Sequence, residues 1–389
     1  MNPDAVILGA GVIGASVAWH LASRGCRNVL VLERGPEPGV GSTGRATGGF
    51  RAQFGTEVNI RLSLLSREKL RRFRDEVGGD PGYRPCGYLF LAGDKGQLAA
   101  LRSLQPLQRA LGLTEVQEVG PEDIRRINPA VRLDGIPGGA FCPTDGFIRP
   151  LDILNGYLSA ARRMGVQAEF GTEVIGLEIE ESGGSRRIAG VRTSRGTIAT
   201  RTVVNAAGAW AAAVARMAGV DLPVEPARRQ IAPTEPFAGL PEDMPLTIFL
   251  EDGFHLRVRD SRVLLLWPTE EPHPDPFDTT FDERWLAGLL PRAHAHIPVL
   301  TETRIDRARC WAGLYEMSPD KHAILGEAPG VRGLYLANGS SGHGVMHSPA
   351  LGHLLAEIIL DGEARSLDVR PLRPSRFAEG RLNEEISLL

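Results

Sequence analysis

Short, wholly apolar runs alternate with amphipathic stretches from the first residues of the chain. Residues 5–8 (AVIL) are apolar without a break and too few for a helix, which predicts a buried strand. Residues 12–23 (VIGASVAWHLAS) follow as a helix, and 29–32 (VLVL) as a second buried strand closed by Glu33. Over 58–77 the apolar positions Ile60, Leu62, Leu64, Leu65, Leu70, Phe73 and Val77 keep a helical period, and 96–111, 151–164 and 348–360 also read as helices. Strand character appears at 83–91, 167–170, 173–180, 203–204 and 333–337, with 190–193 and 196–199 as a hairpin. Segments 246–250, 253–258 and 263–267 alternate like antiparallel strands and predict a second sheet. The rest is punctuated by glycine and proline: a polar loop at 39–54, too flexible for a strand, a turn-rich stretch at 138–148, a Pro/Gly-dense stretch from Pro223 to Pro245, and the turn NGSSGHG at 338–344.

The first strand, turn and helix carry a chemistry. Gly9-x-Gly11-x-x-Gly14 sits between them, and each glycine answers a separate steric demand. Gly9 permits the tight turn. Gly11 lets a pyrophosphate approach the backbone at the positive end of the helix. Gly14 lets the helix pack closely on the sheet. Glu33, about 20 residues on, stands where a carboxylate accepts from a ribose 2′-hydroxyl and disfavours a 2′-phosphate. The run VVNAAG ending at Gly208 is a second place where backbone can touch a cofactor, and the 338–344 turn a third. A nucleotide-binding unit drawn from the start, middle and end of the chain is therefore discontinuous.

Composition narrows the classes. A formal net charge of -3 argues against a nucleic-acid surface, and the run REKLRRFR at 67–74 reads as a solvated helix face. No apolar stretch approaches the length of a membrane span, and Met1 leads almost directly into the first strand with no basic leader, so a cytoplasmic location is expected. Cys26, Cys86, Cys142 and Cys310 are scattered, which predicts neither a disulfide framework nor a zinc site. His294 and His296 have no third ligand nearby and follow Pro291 in a loop-like stretch, so they read as surface residues and no metal is expected.

Taken in order, GAGVIG, GSTGRATGGFRAQF, VVNAAGAWA, WAGLYEMSPDKHAILG and LYLANGSSGHGVMHSPALGHLLAEIIL resemble the D-amino-acid oxidase superfamily over essentially the whole chain. Sarcosine oxidases, glycine oxidases and the flavin subunits of heteromeric sarcosine or proline dehydrogenases are the nearest members. The resemblance implies an α/β (α+β) fold: a discontinuous Rossmann-like FAD-binding domain (1–80, 145–220, 320–370) and a substrate domain on a mixed, largely antiparallel sheet (81–144, 221–319), with a tail at 371–389. It implies FAD contacts from Gly9, Gly11, Val12, Ile13, Gly14, Glu33 and Arg34, and from the loop Ser42, Thr43, Arg45, Ala46, Thr47, Gly48 and Gly49 over the flavin ring. It adds Val174, Ala207, Gly208, Trp210 and Gly313, and Gly339, Ser341, Gly342, His343, Gly344, Val345 and Met346 around the flavin's pyrimidine end. Backbone N–H groups there can stabilise an anionic reduced flavin.

Two departures matter for the cofactor. The cysteine bonded to flavin in monomeric sarcosine oxidases is Gly313 here, and the histidine used by dimethylglycine dehydrogenases is Arg45, so FAD is expected to be non-covalent. With the sequence running to Leu389, the folate-binding domain that dimethylglycine dehydrogenases append is not expected.

The resemblance also implies a carboxylate-bearing amine as substrate, held by Arg51, with His255 and His343 near the ligand or the flavin. A second cation of sarcosine oxidases is Met346 here, the arginine of glycine oxidases is Tyr315, and the lysine linked to oxygen activation is missing from 263–267. The implied reaction is hydride transfer from a secondary amino acid such as sarcosine to flavin N5, hydrolysis of the resulting imine, and reduction of O2 to H2O2. The alternatives are a flavin subunit of a sarcosine, proline or glycine dehydrogenase that passes electrons to a partner, and a non-catalytic FAD-bound assembly factor. A monomer, a homo-oligomer and a partnered subunit all remain open.

Overall fold

The computed structural model describes residues 2–269 and 273–384. Met1 and the last five residues of the expected tail lie outside the described residues. In chain order the strands of the two large sheets are β1 (Ala5–Leu8), β2 (Val29–Glu33), β3 (Tyr88–Ala92), β4 (Gln117–Val119), β5 (Gly138–Cys142), β6 (Gln167–Phe170), β7 (Val203–Asn205), β8 (Glu225–Pro233), β9 (Leu246–Phe249), β10 (His255–Arg259), β11 (Arg262–Leu266), β12 (Trp311–Met317), β13 (Ile324–Glu327) and β14 (Leu334–Asn338).

The first sheet runs β13-β14-β7-β1-β2-β6, parallel except where β13 meets β14. Central parallel strands are covered on both faces, which is why β1 reads as unbroken apolar residues and buries all four. Helices α1 (Val12–Ser23), α2 (Glu57–Glu76) and α3 (Pro150–Arg163) come next in the chain, then α4 (Leu286–His296) and α5 (Gly344–Asp361). α1 is buried on almost every side against α3 and α5. Its Gly14 cannot take a side chain: a Cβ there would stand 2.0 Å from the Gly9 carbonyl oxygen.

The second sheet runs β12-β8-β11-β10-β9-β3-β5-β4 and is antiparallel except for the β9–β3 pair. Alternation sorts its residues. Leu89, Leu91, Leu256, Val258, Val263 and Leu265 enter a core shared with Leu286, Leu289 and Ala293 of α4. Truncating one of these leucines to alanine is worth about 2–5 kcal/mol. The opposite face presents Tyr88, Arg229, Ile231, Leu246, His255 and Leu266 to a cavity between the sheets. The register sets Ile231, Leu266 and His255 side by side on three adjacent strands.

Several sequence expectations need correction. Residues 42–45 form a short helix, and Gly49–Phe50 pairs as a two-residue strand with Gly146–Phe147, because glycines allow a close antiparallel approach that composition does not reveal. The turn-rich stretch contains β5, where a Cβ on Gly139 would meet the Phe90 carbonyl at 2.1 Å. The Pro/Gly-dense stretch contains the nine-residue β8. His294 and His296 lie on α4 rather than in a loop, with Pro291 inside the helix. His296 is no surface residue: it stacks on Phe249 at 3.9 Å and hydrogen-bonds Asp252. In the basic run, Arg67 is buried and donates to Thr144.

Candidate active site

A cavity of about 1010 Å³ runs from the glycine turn to the inner face of the second sheet. At its nucleotide end a Cβ added to Gly11 would meet only the Thr43 hydroxyl, at 3.4 Å, so this glycine faces open cavity space. The N-cap residue of α1, Gly11, brings no side chain; Thr43 Oγ1 accepts from the Val12 N–H, and the remaining dipole end is available to an anion. Glu33 accepts from the N–H groups of Ala10 (3.0 Å) and Gly35 (2.8 Å), which holds its carboxylate at the cavity edge. Arg34 lies 3.9 Å over the Trp210 ring, itself stacked on Phe277. These groups fit a dinucleotide: a cradle that a side chain would fill, a helix N-terminus and a ribose-reading carboxylate.

The cofactor residues expected from sequence gather along this one cavity. Those of the first turn, Glu33, Arg34, the 42–49 loop, Val174, Ala207, Gly208, Trp210, Gly313 and the 341–346 turn all line it. Gly14 and Gly339 do not. Gly14 packs against Gly9, and a Cβ on Gly339 would stand 3.1 Å from Ile324 and Ser318.

The 42–49 loop is clasped from both sides. Ser42 Oγ donates to the Leu314 carbonyl, Arg45 Nη1 to the Ala312 carbonyl, and Trp311 Nε1 to the Arg45 carbonyl. Arg257 donates to the carbonyls of Thr47 and Gly48 and stacks on Phe147 at 3.6 Å. Gly313 faces the Arg45 side chain, and Cys310 lies outside the cavity in the α4 core. Buried Glu316 and Ser340 also line the cavity, and Glu316 Oε2 and Ser340 Oγ have no hydrogen-bond partner among the described residues. Burial pushes the Glu316 carboxyl up to about 7. Unsatisfied polar atoms of this kind fit a cofactor with a polar edge.

The ligand end collects Arg51, His343, His255, Tyr88 and Tyr315. Arg51 is only 7% exposed. It donates from Nη1 to the Gln53 carbonyl (2.6 Å) and from Nη2 to His343 Nε2 (3.1 Å), and lies 3.9 Å over Phe54. A surface pairing with Glu57 is absent; Glu57 pairs with Arg61. His343 is held well below its ordinary value by burial first and by Arg51 second. His255 is pushed down to about 4 by burial. Its Nδ1 faces the Gly253 carbonyl at 2.9 Å and so carries the proton, which leaves Nε2 an acceptor.

Three participants escaped the sequence reading. Asp145, fully buried, accepts from Ala52 N–H and Gln53 Nε2 and so braces the backbone after Arg51; burial raises its carboxyl to about 6. Tyr88 faces Gly49 from β3. Arg229 lines the cavity from β8, in a stretch whose Pro/Gly density hid the strand.

A parallel nucleotide sheet, a glycine cradle and an antiparallel roof together define a flavin-dependent oxidoreductase. Residues 4–358 match the family model described as DAO, FAD dependent oxidoreductase, and the chain belongs to that family. It is 31% identical to the FAD-dependent oxidoreductase domain-containing protein 1 of Bos taurus, over 99% of this chain and 87% of that protein. It is 30% identical to the mitochondrial sarcosine dehydrogenase of Homo sapiens over 92% of this chain, but spans only 40% of that protein's length. Among solved structures, the L-proline dehydrogenase from P. horikoshii superposes with a TM-score of 0.90 at 30% identity, over 98% of this chain and 99% of that one. Among the described residues no helix is long and apolar enough to cross a membrane.

Proposed function

We propose that the protein oxidises a secondary amino acid, with sarcosine the simplest case, at a carbon next to the nitrogen. The observation that carries this reading is Arg51: a nearly buried guanidinium lining the cavity, with no ion pair among the described residues, donating to His343, which burial holds neutral. A buried cation is costly until an anion meets it, and a guanidinium matches a carboxylate in a planar fork.

FAD, held by the glycine turn, Glu33 and the 42–49 loop, would supply the two-electron acceptor for this oxidation, and the substrate would leave as an imine that water hydrolyses. Arg51 fixes the carboxylate and leaves the amine few orientations. His255 Nε2 is the acceptor on the sheet side for an amine N–H. With its proton affinity set near 4, His255 accepts a hydrogen bond at neutral pH and stays uncharged. Ile231, Leu266 and Trp267 keep water from the reacting carbon.

The oxidant in this proposal is O2, reduced to H2O2. A partner subunit as electron acceptor is the second reading; the similarity to the P. horikoshii L-proline dehydrogenase favours it, as does the absence of lysine from β11. Turnover of sarcosine, proline, glycine and N-methyl amino acids, followed in parallel by O2 consumption and by dye reduction, separates the two. Stoichiometric H2O2 supports the oxidase, and turnover with dye alone supports the dehydrogenase. An FAD-loaded protein inert to every amine in both assays contradicts both and leaves the assembly-factor role.

A further inference from the structure

Arg229 is a cation at the sheet end of the cavity that the proposed reaction leaves unused. It sits on β8 opposite Gly313 of β12, whose bare face is covered by the Arg45 side chain, and its own side chain lines the cavity. Its guanidinium lies 5.4 Å from the centre of the Tyr315 ring. Nη1 donates to the carbonyls of Arg228 (3.0 Å) and Thr269 (3.4 Å), whereas Nε and Nη2, the edge that forms a bidentate fork, meet no acceptor among the described residues. Of the other arginines of this sheet, Arg228 pairs with Asp278 at 3.5 Å and Arg262 with Asp306 at 2.8 Å, while Arg257 is taken up by the Thr47 and Gly48 carbonyls. Arg229 forms no ion pair among the described residues.

Arg229 meets no carboxylate within ion-pair distance among the described residues, and the Glu316 carboxyl on β12 is raised to about 7 by burial. His255 is neutral, and Tyr315 keeps its phenol proton, raised first by burial although both Arg229 and Arg51 act on it to lower it. Tyr315 thus stands beside Arg229, while Arg51 acts on it across the same cavity, and each guanidinium has a donor left over. One α-carboxylate engages one of them. The other stays half-desolvated without an anion, which is unfavourable unless the ligand brings a second acidic group.

We propose that Arg229 is a second carboxylate-binding residue, and that the substrate is an amino acid with a further acidic group, its α-carboxylate on Arg51 and its distal carboxylate on Arg229. This rests on the reading of Arg51 as the α-carboxylate anchor.

The test is a titration of the FAD-loaded protein with propionate, butyrate, succinate and glutarate, read from the flavin absorption spectrum. The parent protein should bind succinate about tenfold or more tighter than propionate, and glutarate than butyrate, each pair differing by the one added carboxylate, as a second charge-assisted contact requires. Arg229→Gln should remove that preference, and Arg229→Lys should restore part of it, because an ammonium keeps the charge but not the fork. Equal affinity for mono- and dicarboxylates in the parent overturns the proposal and leaves Arg51 untouched. So does an Arg229→Gln protein that loses both classes equally, since Arg229 is then the sole anchor. If no carboxylate perturbs the parent's flavin, both the second site and the Arg51 reading fall. Should Arg229→Gln not retain FAD, the parent's own preference still decides.

Discussion

Arg51 donates through Nη2 to Nε2 of His343 at 3.1 Å, and this contact adds to burial in keeping the imidazole neutral. A ring nitrogen that accepts from a guanidinium carries no proton, so His343 stays neutral and the cation remains on Arg51. With Nη1 on the Gln53 carbonyl, the guanidinium is held flat over Phe54. His343→Leu removes one of the two holds. Carboxylate affinity should fall by roughly fivefold, the worth of about 1 kcal/mol for a neutral acceptor. His343→Gln, which keeps an acceptor, should recover most of it. Titration of both FAD-loaded variants with benzoate checks this; equal affinity in His343→Leu and parent means that Arg51 is held without His343.

Gly11 and Gly14 belong to one motif but should fail differently. A side chain on Gly11 enters the cavity, whereas one on Gly14 strikes the Gly9 carbonyl at 2.0 Å. Gly11→Val should give a folded, soluble protein without flavin. Gly14→Ala should lose stability by about 1–3 kcal/mol or fail to fold, the range for overpacking. Absorbance at the flavin band and thermal melts distinguish the two; full flavin occupancy in Gly11→Val contradicts the cradle.

The flavin should be released by acid precipitation. Gly313 and Arg45 carry no nucleophile, and Cys310 is outside the cavity with its thiol raised to about 11 by burial. Yellow colour retained in the washed pellet contradicts non-covalent binding.

Acid should weaken the fold well before the surface carboxylates titrate. Burial holds His20, His255, His343 and His347 below the ordinary 6.5, with His255 at about 4 and His347 at about 3. Unfolded histidines take up protons near 6.5, so the stability present above that pH is lost as pH falls toward 4. Two carboxyls oppose this: Glu316 at about 7 and Asp145 at about 6 are raised, bind protons first in the folded state, and stabilise it as pH falls through those values. Four groups against two leave a net loss. The melting temperature of the FAD-loaded protein should be lower at about pH 5 than at about pH 7.5. An equal or higher value at the lower pH contradicts this balance of buried groups.

The nucleotide half was legible because its signals are local. A turn that only glycine can make, an apolar run and a terminal carboxylate lie within 29 residues, from Ala5 to Glu33. The roof was not. β8 reads EPARRQIAP, with prolines near both ends and arginines between, and becomes a strand only by pairing with β11 and β12. β5 begins with two glycines that look like a turn until Phe90 is seen against them. Arg51 stood inside a recognisable loop. Arg229 sat in an arginine pair, and no sequence pattern shows which of the two has a carboxylate partner. Asp145 lay in an apparent turn, and its grip on Ala52 and Gln53 spans more than ninety residues.

The central claim is that this cavity passes electrons from an amino acid to FAD. Anaerobic mixing of the FAD-loaded protein with sarcosine, proline, N-methyl and dicarboxylic amino acids, one at a time, tests it directly through the flavin absorption band. At least one amino acid should bleach the band, and Arg51→Ala should need a concentration higher by roughly 30- to 1000-fold to do so, the loss of a charge-assisted bidentate contact. A band that no amino acid bleaches, but that an alcohol or 2-hydroxy acid does, contradicts the account.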